Sequence, residues 1–239
     1  MKPTLIFLPG LFAGGWIWDQ VAEACRAQGY QTKVMEEAIP QMLGGSLDEA
    51  HEALDQLVAR ETAVVLVGNS MGGLIAMDYG RRKPAKVSAL VLSGSPGLAE
   101  MDAGVTLMDL RRGCTQAASS LAERVFYDPS LVPDRGVEDI RTVFSQPRSF
   151  KNIVQWLTLS RQYDAGSTLG AVPCPVQLVW GDHDRITPGQ PWQHLAKGHS
   201  HLDYQEVACC GHSPMLEKPG AFLAAMAPAL ELSHLSAAI

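Results

Sequence analysis

Short, continuous apolar runs alternate with amphipathic helical stretches along most of this chain, and that alternation restricts the folds open to it more than any other feature. TLIFL (Thr4–Leu8), AVVLVG (Ala63–Gly68), VSALVLS (Val87–Ser93) and VQLVWG (Val176–Gly181) are apolar at consecutive positions, not at every second one. A strand of that kind is covered on both faces, as in a parallel sheet whose connections are helices. Weaker runs at Tyr30–Met35 and Asp203–Val207 bring the expected strands to about six. Helices are expected over Trp16–Gln28, from the Ser46-Leu47-Asp48-Glu49 capping box to about Arg60, from Ser70 to about Arg82, over Pro191–Ala196 and from about Ala221 to Leu232. The fold class is α/β, with a mostly parallel sheet.

The alternation stops between residues 98 and 168, where helical patterns continue without a convincing strand. The chain therefore reads as a core of residues 1–97 and 169–239, interrupted by a helical cap of residues 98–168 above one edge of the sheet. A length of 239 residues, with 46% of them hydrophobic, accommodates one such domain and its insertion. A net charge of −6, with no local tract of Lys or Arg, argues against a nucleic-acid partner, which requires a basic face. The first apolar run is too short for a signal peptide, and no run approaches the length of a membrane span. Five cysteines without paired spacing predict neither a disulfide framework nor a zinc site, so a reduced, cytoplasmic protein without a metal centre is expected.

One strand ends in a way that calls for an explanation. In VVLVGNSMGGLIA (Val64–Ala76) the apolar run meets Gly68-Asn69-Ser70-Met71-Gly72, a G-x-S-x-G pattern set between a strand and a helix. Glycines two places either side of a serine allow the strand and helix to approach closely, which raises the hydroxyl above the sheet's carboxyl end. The same turn aims the Met71 amide at that point. The simpler reading of Ser70 is a helix N-cap. No Lys follows the glycines, so a phosphate-binding loop is not indicated.

A serine hydroxyl needs a base to become a nucleophile. Of the seven histidines, His51 falls within a helix and His194, His199 and His201 lie around a helix end, whereas His212 follows the last strand after Gly211. That position brings it to the same edge of the sheet as Ser70. An imidazole base needs an orienting carboxylate, and GDHD supplies Asp182 and Asp184 just beyond the preceding strand. One of the two is expected to cap the next turn instead. For the developing oxyanion, Met71 offers one amide and the Pro9-Gly10 turn offers a second from Leu11 or Phe12, because proline has no N–H.

These residues resemble the α/β-hydrolase superfamily over nearly the whole chain. Within it, PGLFAGGWIWDQV is similar to the H-G-x-x-x-G-G-W-x-W segment of small methylesterases and hydroxynitrile lyases. GNSMGG resembles the nucleophile elbow, GDHD the acid turn and CGHSPMLEKP the histidine loop. The resemblance implies Ser70 as nucleophile, Asp184 as acid, His212 as base, and Leu11 and Met71 as oxyanion-hole amides, with no cofactor. Pro9 departs from the family's usual histidine, and Ser213 stands where the lyases carry lysine, which weakens a lyase reading. A dehalogenase would carry aspartate as the nucleophile at position 70.

The expected reaction is hydrolysis of a small or medium, largely apolar ester, with thioesters, lactones and C–C bonds beside a carbonyl as alternatives. A lyase or synthase on the same triad and a non-catalytic receptor are the readings from other classes. The insertion carries Met101, Met108, Tyr127, Phe150 and Tyr163, and Phe12, Phe126, Phe144 and Trp156 are the candidates to line a substrate pocket. Arg141, Arg148 and Lys151 are candidates to grip a carboxylate or a phosphate. The expected partner is a small-molecule ester or acyl compound.

Overall fold

The computed structural model describes residues 2–98 and 101–236. Its centre is one sheet of six strands: β1 (Thr4–Leu8), β2 (Thr32–Val34), β3 (Val64–Asn69), β4 (Val87–Ser93), β5 (Val176–Gly181) and β6 (Leu202–Val207). They lie in the order β2-β1-β3-β4-β5-β6, every neighbouring pair parallel. All residues of β1, β3, β4 and β5 are buried, which accounts for their predominantly apolar character; the buried Ser88 and Gln177 are hydrogen-bonded to the Val64 carbonyl and to Asp203. β6 alternates instead and places Asp203, Gln205 and Glu206 on the sheet's edge, where polar groups discourage pairing with another chain. β2 is shorter than its apolar run suggested. The Gly14-Gly15 backbone crosses its end, and the Gly15 amide takes the Glu36 carbonyl at 2.7 Å.

The helices are α1 (Asp19–Ala27), α2 (Ile39–Met42), α3 (Leu47–Val58), α4 (Met71–Arg82), α5 (Leu107–Arg111), α6 (Thr115–Val125), α7 (Asp134–Ser145), α8 (Pro147–Gln162), α9 (Ala165–Gly170), α10 (Gln190–Lys197), α11 (Pro214–Glu217) and α12 (Pro219–Ser236). The first helical stretch opens as a 3-10 turn over Gly15–Trp18 before α1. Ser46 caps α3 through its side-chain oxygen, as its motif implies, but Glu49 reaches back to the Gly44 amide instead of closing the box on Ser46.

Successive strand residues face opposite layers. Ile6, Leu8, Leu66 and Leu90 pack with Leu54 of α3 and Leu74 of α4, whereas Leu5, Phe7, Val65 and Val91 pack with Trp18, with Val21 of α1 and with Phe222 of α12. Between β4 and β5 the chain contributes α5 to α9. Leu110, Leu121, Val143, Phe144 and Ile153 form a separate apolar cluster there, which also takes in Ile186 from the loop after β5. Trp156, Ala165 and Leu169 belong to the cluster on the α4 side of the sheet, so α8 serves both cores. Polar contacts also bind this segment to the rest; among them, Trp16 Nε1 donates to Asp139 at 2.7 Å, and Asn152 Nδ2 to the Pro40 carbonyl at 3.0 Å. Among the described residues no helix is long and apolar enough to cross a membrane.

A buried carboxylate locks the α4 side. Asp78 meets His51 Nε2 of α3 at 3.1 Å, Arg81 and Arg82 at 3.0 Å each, and the Tyr163 hydroxyl at 3.1 Å. Burial alone would raise its pKa, but the His51 and Arg81 hydrogen bonds and the Arg82 charge outweigh that and bring it from 3.8 to about 2. A carboxyl whose pKa is lowered on folding stabilises the protein above the unfolded value and loses that contribution as pH falls toward the folded one. Urea midpoints measured across acid pH are expected to fall between about pH 4 and pH 2, with a contribution of about 2 kcal/mol from this group. Asp78→Asn is expected to remove that portion of the slope.

Candidate active site

Ser70 sits in the turn from β3 to α4 with φ 54° and ψ −123°, a positive φ that only Cys209 shares among the described non-glycine residues. Its side chain makes no capping hydrogen bond to α4, so the helix-cap explanation does not account for it. The surroundings hold the strained turn in place. The Ser70 amide donates to the Ser93 carbonyl at 2.8 Å. A Cβ on Gly72 would stand 2.3 Å from the Pro9 carbonyl oxygen, and one on Gly68 would stand 2.5 Å from that of Gly72. Strand and helix meet too closely for side chains, and the serine is thereby raised off the sheet.

His212 lies between β6 and α11, buried, with Nδ1 2.9 Å from Asp184 Oδ2. Asp184 is itself buried and well supplied with donors. Its Oδ1 accepts from the Ile186 and Thr187 amides, both at 2.9 Å, and its Oδ2 accepts from Thr187 Oγ1 at 3.0 Å. A carboxylate so fixed orients the imidazole and favours a proton on Nδ1, which leaves Nε2 free to accept one. The geometry also separates the two aspartates of GDHD. Asp182 accepts from the Cys210 amide at 3.0 Å and pairs with His183 at 2.7 Å, so it ties two loops together and does not meet His212.

Several groups position the histidine that sequence reading did not single out. Asn69 Nδ2 donates to the His212 carbonyl at 3.1 Å, and the His212 amide donates to the Val125 carbonyl at 2.7 Å. Gly94, at φ 57°, leaves the space the ring occupies, since a Cβ there would be 2.6 Å from His212 Cε1. Glu217 is buried and accepts from the Gly211 amide at 2.7 Å and from the Tyr127 amide at 2.8 Å. It thereby joins the histidine loop to the end of α6. Thr187 follows Asp184 by three residues, the spacing of a side-chain turn, and Glu217 stands inside CGHSPMLEKP, so both had a local signal. The Val125 contact had none, because it is made by main chain on a distant segment.

Leu11 and Met71 flank the serine. A Cβ on Gly10 would be 3.3 Å from Ser70 Cβ, which brings the turn after β1 against Ser70, and Met71 opens α4, where first-turn amides have no helical acceptor. Two cavities meet at Leu11, Phe12, Ser70, Val125 and His212. The smaller, about 80 Å³, is lined further by Trp16, Phe126, Pro133, Gly136 and Ile140 and by no Asp, Glu, Lys or Arg. The larger, about 460 Å³, extends under Met101, Leu107, Leu110, Leu157 and Ile186.

Of the pocket candidates, Phe12 and Phe126 line these cavities, while Phe144 and Trp156 do not. Phe144 is fully buried behind Phe12, ring centroids 5.4 Å apart, and Trp156 is fully buried in the core. Arg141 pairs with Glu138 at 2.9 Å, and Arg148 and Lys151 line a separate hollow beside Glu49. Among the described residues no group of three or more His, Cys, Asp or Glu side chains is placed to hold a metal ion.

Comparison with known proteins accords with this architecture. Residues 5–225 match the alpha/beta hydrolase family. The monoacylglycerol lipase ABHD6 of Homo sapiens is 21% identical over 243 residues, covering 91% of this chain and 72% of the relative. A 2-hydroxy-6-oxononadienedioate/2-hydroxy-6-oxononatrienedioate hydrolase of Cupriavidus pinatubonensis is 27% identical, covering 92% of this chain and 83% of the relative. Among solved structures, a 2-hydroxy-6-oxo-6-phenylhexa-2,4-dienoate hydrolase from a Rhodococcus strain superposes with a TM-score of 0.80 at 21% identity, covering 98% of this chain and 90% of that one. A putative lipase from Acinetobacter baumannii gives 0.82 at 20% identity, covering 98% and 85%. At those identities the superpositions speak for the fold, and the sequence match carries the assignment: the chain belongs to the alpha/beta hydrolase family.

Proposed function

We propose that this protein is a serine hydrolase that cleaves a small or medium carboxylic ester through Ser70, His212 and Asp184. The observation that carries the reading is the 2.9 Å contact of His212 with a buried, fully hydrogen-bonded Asp184, in cavities whose shared wall includes the strained Ser70. In the proposed cycle His212 Nε2 takes the Ser70 proton as Oγ attacks the ester carbonyl. The Leu11 and Met71 amides receive the charge that develops on oxygen. His212 then protonates the departing alcohol, activates a water, and the acyl-enzyme is released as a carboxylic acid. Asp184 keeps its charge throughout and stabilises the imidazolium.

The two cavities suit a substrate with unequal arms on either side of the reacting carbonyl. The small lobe accommodates a short apolar arm, because no Asp, Glu, Lys or Arg lines it. The large lobe, at about 460 Å³, lies within the range of sites for whole small molecules. The insertion of residues 98–168 acts in this reading as a cap, since α6 furnishes Ala122 and Val125 and α7 furnishes Gly136 and Ile140 to the small lobe, and α8 furnishes Leu157 to the large one. A second reading is hydrolysis of a C–C bond beside a ketone, which the same triad serves; the Cupriavidus relative is named as a hydrolase of compounds that carry such an oxo group. Product analysis separates the two, because an ester yields an alcohol and a ketone yields a new C–H bond.

Ser70→Ala is expected to lower turnover of a p-nitrophenyl ester by several orders of magnitude, and a fluorophosphonate probe is expected to label the wild type at Ser70. Near-normal esterase activity in that variant would sink the mechanism. Gly136 sets the room in the small lobe: a Cβ there would lie 3.7 Å from Pro133 and 3.9 Å from Trp16, in ordinary contact within the lining. Gly136→Ala is therefore expected to fold at least as well as wild type, since alanine favours the helix. It should lower kcat/KM about tenfold for the longest arm the small lobe accepts, the cost typical of one methylene in a tight pocket. Kinetics on esters of rising chain length provide the check.

A further inference from the structure

The large lobe is apolar along most of its wall, with Leu107, Leu110, Leu157 and Ile186 prominent, yet Arg161 from the last turn of α8 lies in its lining. The lobe's other charged residue, Asp102, is ion-paired with Arg124. Among the described residues Arg161 has neither an ion-pair nor a hydrogen-bond partner. It also lines an adjoining hollow of about 270 Å³ with Ser160 and Tyr163, and its side chain is exposed to solvent. A cation in the last turn of a helix is favoured by the helix dipole in any protein. The dipole does not explain why that cation shares a cavity with Ser70 and His212.

A neutral substrate arm filling this lobe would displace water from Arg161 and give the guanidinium nothing in return, which is unfavourable. An arm ending in a carboxylate would meet the planar, two-pronged donor that suits it and would neutralise it as the water leaves. We infer that the large lobe receives the substrate arm that ends in a carboxylate, and that Arg161 holds it. This rests on the hydrolase reading above and narrows it, from a largely apolar ester to one with a short apolar arm and a longer arm ending in an anion. Arg161 takes the part for which Arg141, Arg148 and Lys151 were the candidates in the sequence.

Two matched pairs of esters test this on the full chain: methyl hexanoate against monomethyl adipate, with the charge on the acyl arm, and phenyl butyrate against 4-carboxyphenyl butyrate, with the charge on the alcohol arm. The wild type is expected to prefer the charged member of at least one pair in kcat/KM. Arg161→Gln should cut that charged-over-neutral preference about tenfold, chiefly through KM, as for loss of one charge-assisted hydrogen bond. Arg161→Lys should retain part of it. Equal effects of Arg161→Gln on both members, or a wild type indifferent to charge in both pairs, overturns the inference.

Hydrolysis of the neutral esters and labelling of Ser70 report separately on the hydrolase reading. Calorimetric titration of the Ser70→Ala protein with monomethyl adipate reads the contact without turnover. Binding weakened about tenfold by adding Arg161→Gln is expected, and equal binding with and without Arg161 overturns the inference whatever the hydrolysis assays give.

Discussion

The structure depends on how closely α4 comes to the sheet. With hydrogen as the only side chain at Gly68 and Gly72, the first turn of the helix rests against the carbonyls of Leu8 and Pro9. Ser70 has no room to take an ordinary backbone conformation between them and is held at φ 54°. The same approach sets the height of the serine above the strands and the direction of the Met71 amide. It also brings the turn after β1 against Ser70, where Gly10 leaves only enough space for contact. The position of Ser70 and the candidate oxyanion site are thus consequences of one packing distance.

Strand order supplies the second half of the site. Because β3, β4, β5 and β6 are parallel and adjacent, the loops that leave their carboxyl ends emerge along one edge. Ser70, Gly94, Asp184 and His212 come one from each. The buried Asp184–His212 pair is stable there because every strong acceptor position on the carboxylate has a donor, from the Ile186 and Thr187 amides, the Thr187 hydroxyl or the imidazole. A carboxylate buried without those partners would take up a proton or pull the loop toward solvent.

The histidine loop does not stand on the sheet alone. Its backbone is tied to Val125 and, through Glu217, to Tyr127, both in the segment between β4 and β5. Val125 lines both cavities, so the cavity wall and the loop that carries His212 form one hydrogen-bonded unit. The segment between β4 and β5 bounds the cavities and, through the Val125 carbonyl and the Tyr127 amide on Glu217, also supports His212.

What the sequence determined by itself is whatever depends on neighbours along the chain. Consecutive apolar residues mark strands buried on both faces, the Ser46 oxygen marks the start of α3, and glycines around Ser70 mark a turn that admits no side chains. The order Ser70, Asp184, His212, each after a strand, was legible for the same reason. Tertiary structure decided what depends on distance between remote segments. Asp184 faces His212 while Asp182, two residues away, faces Cys210, a difference set by backbone direction in a single turn. Phe12 and Phe126 reach the cavities while Phe144 and Trp156 fill cores, because hydrophobicity gives every aromatic the same reason to be buried and only packing says where. Arg161 looks in sequence like any cation at a helix end, and its place in the lining of the lobe that Ser70 also lines follows from how α8 packs against α2, α4 and α7.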